Sequence, residues 1–336
     1  MTTRACGAVA CPGDEHLMQE EVSVILPVYN AKEFLAQALQ SVLDQTHHRF
    51  ELIAVDDGST DGSGEILSEF ARRDKRIVFW RTENQGPAAT ANACLERAKN
   101  DLVVRLDSDD LMVPDRIERQ VWFMQQHPDI SVATSYVWLI DRNGRLISEA
   151  KPRIDLERGI REYRPHCFVD IIQPATILRK RHIQEVGGYS REYRFAEDRE
   201  LWGRLVASGY RLDVQPEFLV KQRIHRSSLT AKGIRGNIVI CKFIDQNTVR
   251  LLQGQKAISL QTFHESRRNV PVLKRLARDA NELSKVYYKE ATRDFAEKNW
   301  GRFFTHTTSA ICLNPIWALR MLKRMARWNE SGERAH

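Results

Sequence analysis

In the first 110 residues, four short apolar runs alternate with stretches whose apolar residues have helical spacing. The runs are Val22–Val28, Phe50–Val55, Ile77–Trp80 and Leu102–Leu106, and the helical stretches between them are Glu33–Leu43, Gly64–Arg72 and Ala88–Ala98. Such runs are typical of strands buried on both faces, and strands that alternate with helices form βαβ units. Because crossovers in these units are right-handed, the pattern predicts an α/β fold, with a doubly wound, mostly parallel sheet flanked by helices.

Polar residues follow three of these runs, at the strand ends where open α/β sheets bind their ligands. The segments read Pro27-Val28-Tyr29-Asn30, Asp56-Asp57-Gly58-Ser59 and Asp107-Ser108-Asp109-Asp110. Because the carboxyl ends of parallel strands meet at one edge of a sheet, we expect the functional site at this edge.

The segment Asp107–Asp110 places three carboxylates within four residues. These carboxylates repel one another unless water or a divalent cation neutralises them, and Mg²⁺ and Mn²⁺ prefer carboxylate oxygens together with substrate phosphates. The alternative is an acidic loop without a ligand, in which Asp109 or Asp110 caps a helix that begins near Pro114.

The segment Asp56–Ser63 contains two glycines among short polar residues, which is typical of a tight loop that can approach a ligand closely. A carboxylate in this loop can accept a hydrogen bond from a base N–H or a ribose hydroxyl. The alternative is an ordinary turn that ends in a helix cap at Asp61 or Ser63, which suits those two residues better than Asp56 and Asp57.

The pair Glu197-Asp198 lies where the pattern predicts the start of a helix, Ala196–Ser208. Carboxylates are stabilised at a helix N-terminus by the helix dipole, so capping is one interpretation. The other is a general base, which takes the proton from an attacking hydroxyl.

Taken together, in this order and at these separations, the motifs resemble those of the family 2 inverting glycosyltransferases, which have the GT-A fold, in their non-processive bacterial type. The resemblance covers about residues 20–230. It implies a nucleotide-sugar site in which Pro27 and Tyr29 line the nucleobase pocket and Asp57 contacts the base. The implied set of donor-binding residues is Pro27, Tyr29, Asn30, Asp57, Gly86, Asn92, Asp107, Ser108 and Glu197.

The same resemblance assigns the catalytic groups. Asp107-Ser108-Asp109 corresponds to the family's DxD motif, so Asp109 is expected to bind Mn²⁺ or Mg²⁺. His225, in the segment Ile224–Leu229, is expected at the metal or the diphosphate. Gly187-Gly188-Tyr189 lies on the acceptor side together with Glu197-Asp198, and Asp198 is expected to be the catalytic base.

One departure from the family pattern and one absent motif limit what the resemblance implies. Many relatives carry an arginine directly before the position of Asn92, whereas this chain has Ala91, so the donor sugar stays open. The QxxRW motif of processive synthases is absent, and no run of about 18 apolar residues could span a membrane. We therefore expect single-sugar addition by a hexosyl or related transferase.

The chain divides into three predicted parts. Residues 1–19 are expected to be a disordered or over-extended N-terminal segment, residues 20–230 the GT-A catalytic domain, and residues 231–336 a helical C-terminal extension. Near the end of the chain, Ile316–Trp328 has basic residues on one side of a helical wheel and apolar residues on the rest. Such a helix either lies on an anionic membrane surface or packs on the catalytic domain.

Composition sets the expected surroundings. The six cysteines have neither zinc-ligand nor disulfide spacing, which indicates a cytoplasmic protein, with the inner face of the membrane as the alternative location. The net charge of +7 suits phosphate-bearing ligands, and no motif indicates nucleic acid.

The function predicted is transfer of one sugar from a nucleoside diphosphate sugar, with UDP-sugars favoured, to the hydroxyl of a carbohydrate or lipid-linked acceptor. Synthesis of cell-surface polysaccharide or glycolipid is the expected context. The alternative is a catalytically silent sugar-nucleotide-binding homologue. A sugar-nucleotide pyrophosphorylase needs a glycine-rich basic loop after the first strand, and a dehydrogenase needs G-x-G-x-x-G; the chain has neither at that place.

Overall fold

The structure is a computed structural model and describes residues 20–154, 156, 169–193, 195–225 and 234–316. The predicted N-terminal segment 1–19 and all of Ile316–Trp328 except Ile316 lie outside these residues.

The first half of the chain confirms the predicted alternation of strands and helices. Its elements are β1 (Val22–Val28), α1 (Leu35–Leu43), β2 (Phe50–Asp56), α2 (Ser63–Arg73), β3 (Ile77–Arg81), α3 (Pro87–Arg97) and β4 (Leu102–Arg105). Strand β1 pairs in parallel with both β2 and β4, and β2 pairs in parallel with β3. The carboxyl ends of β1, β2 and β4 therefore lie side by side at one edge.

The second half completes the sheet with mixed pairing. Its elements are β5 (Leu111–Met112), α4 (Arg116–Gln126), β6 (Ile130–Ile140), β7 (Leu146–Ala150), a 3₁₀ turn (Gln173–Ala175), β8 (Thr176–Arg179), α5 (Lys180–Glu185), α6 (Glu197–Ala207) and β9 (Arg211–Arg223). The strand order is β3-β2-β1-β4-β8-β6-β9-β5, with β7 paired to β6. Strand β8 is antiparallel to both β4 and β6, whereas β6 and β9 are parallel.

Two predictions in this half were incomplete. The short apolar stretches Tyr210–Val214 and Phe218–Ile224 each predict a separate strand, but the structure has one strand, β9, that runs through Pro216. The register between β6 and β9 shifts near Ser135 and Tyr136, opposite this proline, so irregular pairing accommodates a residue that cannot donate a ladder hydrogen bond. Strand β8 and helix α5 were not predicted, because four and six residues are too few to show a period.

The core has two layers, one on each face of the sheet. Val24 and Leu26 of β1 pack with α1, α2 and α4, whereas Ile25 between them packs with α3 and α6. This alternation follows from strand geometry, in which successive side chains point to opposite faces.

Helices follow the sheet, as predicted for the C-terminal region, and residues 234–316 contain four of them: α7 (Ile234–Leu252), α8 (Leu260–Arg268), α9 (Val272–Ala296) and α10 (Trp300–Leu313). Phe243 and Ile244 of α7 and Phe263 of α8 form a buried cluster that also contacts Tyr193 and Ala196, just before α6. Within the described ranges, none of the helices is long and apolar enough to cross a bilayer. The predicted domain boundary near residue 230 falls within residues 226–233, outside the described part of the chain.

Candidate functional site

The acidic segment Asp107–Asp110 follows β4 directly and faces the end of β9. Nε2 of His225 lies 2.8 Å from Oδ2 of Asp109, although the two residues are 116 positions apart in the chain. Both side chains are partly shielded, with exposed fractions of 9% for His225 and 23% for Asp109. The structure therefore places the two predicted metal ligands next to each other. Ser108 is half-buried in the same segment.

Arg223 of β9 holds the acidic segment against the sheet. Its backbone N–H donates to Oδ1 of Asp110 at 2.7 Å, and its Nε donates to the carbonyl of Asp109 at 3.0 Å. Burial raises the pKa of Asp110 well above its usual value, and the charges of Asp109 and Asp107 raise it further. Asp110 is thus part of the scaffold of the loop. The alternative in which it caps the next helix is wrong, because α4 begins at Arg116 after Asp115.

Arg105, in β4, is a site residue that the sequence analysis missed. Its Nε and Nη2 lie 3.3 and 3.2 Å from Oδ1 of Asp107, and its guanidinium lies 5.8 Å from the ring centre of Tyr189. Burial by itself would lower the pKa of this guanidinium, but Asp107, Tyr189 and nearby Glu197 raise it above its usual value. The sequence could have indicated this residue, because Arg105 is a charged residue within the apolar run Leu102–Leu106 and a buried charge needs a partner.

The first turn of α6 brings Glu197 and Asp198 to the same region. Burial, followed by the charge of Asp198, raises the pKa of Glu197 to about 7. Burial also raises the pKa of Asp198, against the effect of the Arg199 backbone N–H and the Arg105 charge. Burial raises the pKa of Asp107, Arg105 lowers it, and the charges of Asp109 and Asp198 raise it. The acidic segment and the start of α6 are therefore close enough to affect each other's pKa values, and the charge of Arg105 acts on both.

The residues at the end of β1 and just after it lie at the same edge of the sheet, where the carboxyl ends of β1, β2 and β4 meet. Pro27 is half-buried, and Tyr29 is 44% exposed, which leaves its ring accessible for stacking. Asn30 adopts a left-handed backbone conformation with φ 49°, and its Oδ1 accepts a hydrogen bond from the N–H of Thr60 at 2.8 Å. The loops after β1 and β2 are thus bonded to each other.

Asp57 organises the loop that precedes α3. Its two carboxylate oxygens accept hydrogen bonds from the N–H groups of Gln85 at 2.8 Å and Gly86 at 2.9 Å. Gly86 has φ 89° and directly precedes Pro87, the first residue of α3. Because a carboxylate has about four acceptor positions, Asp57 can still accept a hydrogen bond from a base.

Asn92 of α3 bonds to the backbone of the Gly187–Tyr189 turn. Its Nδ2 donates to the carbonyl of Tyr189 at 2.8 Å, and its Oδ1 accepts from the Tyr189 N–H at 2.8 Å. A Cβ at Gly188 would lie 2.7 Å from this Oδ1, and Gly188 has φ 71°. Asn92 therefore connects the donor-side helix to the predicted acceptor side.

The donor atoms around Asp109 fit a hard divalent cation that also binds a diphosphate. Among the described residues, no group of three His, Cys, Asp or Glu side chains is arranged to hold a metal. Asp109 and His225 would supply two ligands, and Mg²⁺ in nucleotide sites is usually held by one or two carboxylates together with phosphate oxygens and water.

A polar cleft opens beside the Gly187–Tyr189 turn, with a volume of ≈ 490 Å³. Its lining includes Tyr189, Ser190, Arg191, Glu192 and Tyr193. Hydroxyl groups and charged side chains of this kind can form hydrogen bonds with a polyhydroxylated ligand.

Comparison with known proteins identifies the family of the chain. The profile of the family described as Glycosyl transferase family 2 matches residues 23–187. An uncharacterized glycosyltransferase of Methanocaldococcus jannaschii is 32% identical over 208 residues, which cover 60% of this chain and 70% of that protein. Several other curated glycosyltransferases match the chain over less than half of their own length.

Solved structures of the same architecture are similar along most of the chain. TarS of S. aureus in complex with UDP-GlcNAc has a TM-score of 0.53 at 17% identity, over 87% of this chain and 91% of that one. The mannosyltransferase PcManGT of Pyrobaculum calidifontis, in complex with GDP-Man and Mn²⁺, has a TM-score of 0.52 at 16% identity, over 88% of each chain. At these identities the likeness concerns the fold. Together with the sequence match, it shows that this chain is a glycosyltransferase of family 2 with the GT-A fold.

Proposed function

We propose that the protein transfers a single sugar from a nucleoside diphosphate sugar to an acceptor hydroxyl with inversion at the anomeric carbon. The observation that carries this proposal is that two acidic groups, Asp107–Asp109 and Glu197-Asp198, lie near the same buried cation, Arg105. Asp107–Asp109 would hold a cation that stabilises the negative charge of the leaving diphosphate. Glu197-Asp198 would remove a proton from the acceptor hydroxyl.

Asp109 and His225 would hold the divalent cation, Mn²⁺ or Mg²⁺. When bound, such an ion stabilises negative charge on a diphosphate leaving group without a proton transfer. Their separation of 2.8 Å allows both side chains to reach one ion after a small adjustment, and Arg223 fixes the backbone of Asp109 during that adjustment.

Asp198 would act as the base. It accepts the proton of the acceptor hydroxyl, whose oxygen forms a bond to the anomeric carbon as the bond to the diphosphate oxygen breaks. Because burial makes Asp198 more basic than an exposed aspartate, it takes this proton more readily, and general base catalysis contributes about 10²–10⁴-fold in rate. Attack from the face opposite the diphosphate inverts the configuration.

The loops after β1 and β2 would bind the nucleotide. The exposed ring of Tyr29 offers a stacking surface for the base, and Asp57 offers an acceptor for a base N–H. The structural neighbours named above were solved with UDP-GlcNAc and GDP-Man, both nucleoside diphosphate sugars. We favour a UDP-sugar and leave the sugar itself open, since Ala91 lies where relatives carry an arginine.

The polar cleft beside Tyr189 would bind the acceptor, a carbohydrate or a lipid-linked carbohydrate. Such an acceptor places the enzyme in the synthesis of cell-surface polysaccharide or glycolipid. It is compatible with a cytoplasmic protein that works at the inner face of the membrane.

A thermal-shift screen of nucleotide sugars with and without Mn²⁺ tests the proposal, because a ligand that binds only the folded state raises the melting temperature. One nucleoside diphosphate sugar should give a shift that requires Mn²⁺. Asp109→Ala should lose the metal-dependent part, whereas Asp198→Asn should keep the shift and lose turnover. Asp44→Ala, at an exposed position near the opposite edge of the sheet, is the control.

Two outcomes would contradict the proposal. Near-normal turnover of Asp198→Asn would show that Asp198 is not the base. A wild-type chain that binds a donor but neither transfers nor hydrolyses its sugar would be a catalytically silent homologue.

A further inference from the structure

The residue after the proposed base, Arg199, is bonded to the C-terminal helices. Its Nε lies 2.6 Å from Oδ1 of Asp245 in α7, and its Nη2 lies 3.1 Å from Oδ2 of the same carboxylate. The Asp245 side chain is 5% exposed and that of Arg199 is 21% exposed. A two-point bond of this kind fixes both the position and the plane of the guanidinium.

Helices α6 and α7 approach each other closely next to this ion pair. A Cβ on Gly203 of α6 would lie 2.2 Å from Oγ1 of Thr248, one turn along α7 from Asp245. On the other side, Ala196 packs against the Phe243 and Ile244 cluster and has φ 63°, a left-handed conformation that few residues other than glycine adopt. Contacts with the C-terminal helices therefore surround the turn that carries Asp198.

The guanidinium of Arg199 is close enough to influence the base. Its charge lowers the pKa of Asp198, against the effect of burial. A carboxylate paired directly with arginine is a weaker base, because the cation stabilises the ionised form. The bond to Asp245 directs this guanidinium toward α7, and the other carboxylates that its charge reaches are Asp198 in the same turn and Asp170.

We propose that Asp245 is a positioning residue for the transferase reaction, which holds the Arg199 guanidinium on α7 and so keeps the Asp198 carboxylate available to the acceptor hydroxyl. This inference rests on the proposed role of Asp198. It gives Asp245 of α7 a positioning role, since this residue holds the arginine that follows the base in the turn.

The test measures kcat, the donor KM and the pH dependence of kcat for Asp245→Asn. We expect kcat to fall by about tenfold to a hundredfold, within what a general base contributes, with the donor KM within about twofold of wild type. The acid limb of the kcat profile should move to lower pH, because Arg199 then pairs with Asp198. The charged and titratable groups around Asp198 are Arg105, Asp107, Tyr189, Glu197, Arg199 and Cys241. Groups that also act on Arg199 are Asp170, Asp245 and Lys289.

Two further variants separate positioning from stability. In Asp245→Asn/Arg199→Gln the cation is gone, so kcat should recover toward wild type, above that of Asp245→Asn. Asp245→Glu should retain most of the rate.

Glu282→Gln is the matched control. It breaks partly buried ion pairs of Glu282 with Lys242 of α7 and Arg267, away from α6. It should lower the melting temperature and leave kcat and its pH profile unchanged.

The outcomes distinguish this inference from the proposed function. If Asp198→Asn is inactive while Asp245→Asn keeps the wild-type kcat and acid limb, the function stands and this inference is overturned. An equal loss of kcat in Asp245→Asn and in the double variant also overturns it, since it points to packing alone. If Asp198→Asn keeps its turnover, both fail.

Discussion

Arg105 lies beneath the site with its guanidinium buried between the acidic segment and the start of α6. Its contact with Asp107 at 3.2 Å and its charge near Glu197 and Asp198 allow several carboxylates to share one poorly solvated region. Without this cation, burial and mutual repulsion would raise the pKa of these carboxylates further. The acidic residues could be recognised in the sequence. Arg105, whose positive charge offsets the repulsion among them, was recognised only from its burial in the structure.

Glu197 provides a pH-dependent test at the residue scale. Its pKa is raised from 4.5 to about 7, so the folded state binds this proton more tightly than the unfolded state. Stability from this group is complete below about pH 4.5 and is lost as the pH rises toward 7, by about 3 kcal/mol in the free energy of unfolding. Glu197→Gln should therefore melt above wild type at pH 8, with a smaller difference at pH 4.

The measurement is the melting temperature against pH for the metal-free protein. Glu192→Gln, which changes an exposed glutamate on the preceding loop, is the control and should follow the wild-type curve. A Glu197→Gln curve parallel to that of wild type at all pH values would contradict the raised pKa.

At the scale of elements, the packing of α6 on α7 depends on a glycine. Gly203 lies in a helix, where glycine is intrinsically unfavourable, but a Cβ there would lie 2.2 Å from Oγ1 and 3.4 Å from Cβ of Thr248. We expect Gly203→Ala to lower the free energy of unfolding by about 1–3 kcal/mol, the usual cost of overpacking. Thr248→Ala in the same chain should relieve most of this loss, because it removes the contacted oxygen.

Gly301→Ala is the matched control, since Gly301 also lies in a helix but has nothing within 4 Å of an added Cβ. Helix propensity predicts that this control stabilises the protein by up to about 1 kcal/mol. Denaturant unfolding measures all three chains. Equal effects of the two single alanine variants would show that α6 and α7 are not in close contact.

Strands and helices were predicted well where apolar residues repeat with a regular period along the chain, and poorly where they do not. Every predicted strand and helix of residues 22–105 is present, because buried parallel strands and amphipathic helices have distinct patterns. Strand β8 is too short to show a period, and β9 continues through Pro216 because irregular pairing with β6 accommodates it. Whether a proline interrupts a strand depends on the partner strand, which local sequence does not contain.

At the scale of the whole molecule, the basic charge of the chain bears on where it works. The net charge is +7, and Arg320, Lys323, Arg324 and Arg327 lie in the segment Ile316–Trp328. Ile316, the one residue of this segment within the described part of the chain, is 69% exposed. A basic amphipathic helix binds anionic lipid through both charge and apolar area.

We expect the full chain to float with vesicles that contain anionic lipid, and to float less with zwitterionic vesicles or at high salt. A chain that ends at Leu313 should remain in the unbound fraction with an unchanged melting temperature. Equal flotation of both chains would contradict membrane binding by this segment. A melting temperature that falls on truncation would indicate that the segment packs on the rest of the protein.

The sequence by itself determined the fold class and the candidate residues of the donor side, because both depend on local patterns: strand and helix periods, and the short polar segments that end β1, β2 and β4. The tertiary structure alone decided which distant residues meet. Asp109 lies beside His225 because β9 ends at the same edge as β4, and Arg105 is a site residue because its buried guanidinium lies near Asp107, Tyr189 and Glu197. Asp245 acts on the proposed site because α7 packs on α6. Each of these contacts joins segments far apart in the chain, and the path of the chain between them is set by packing of the whole core.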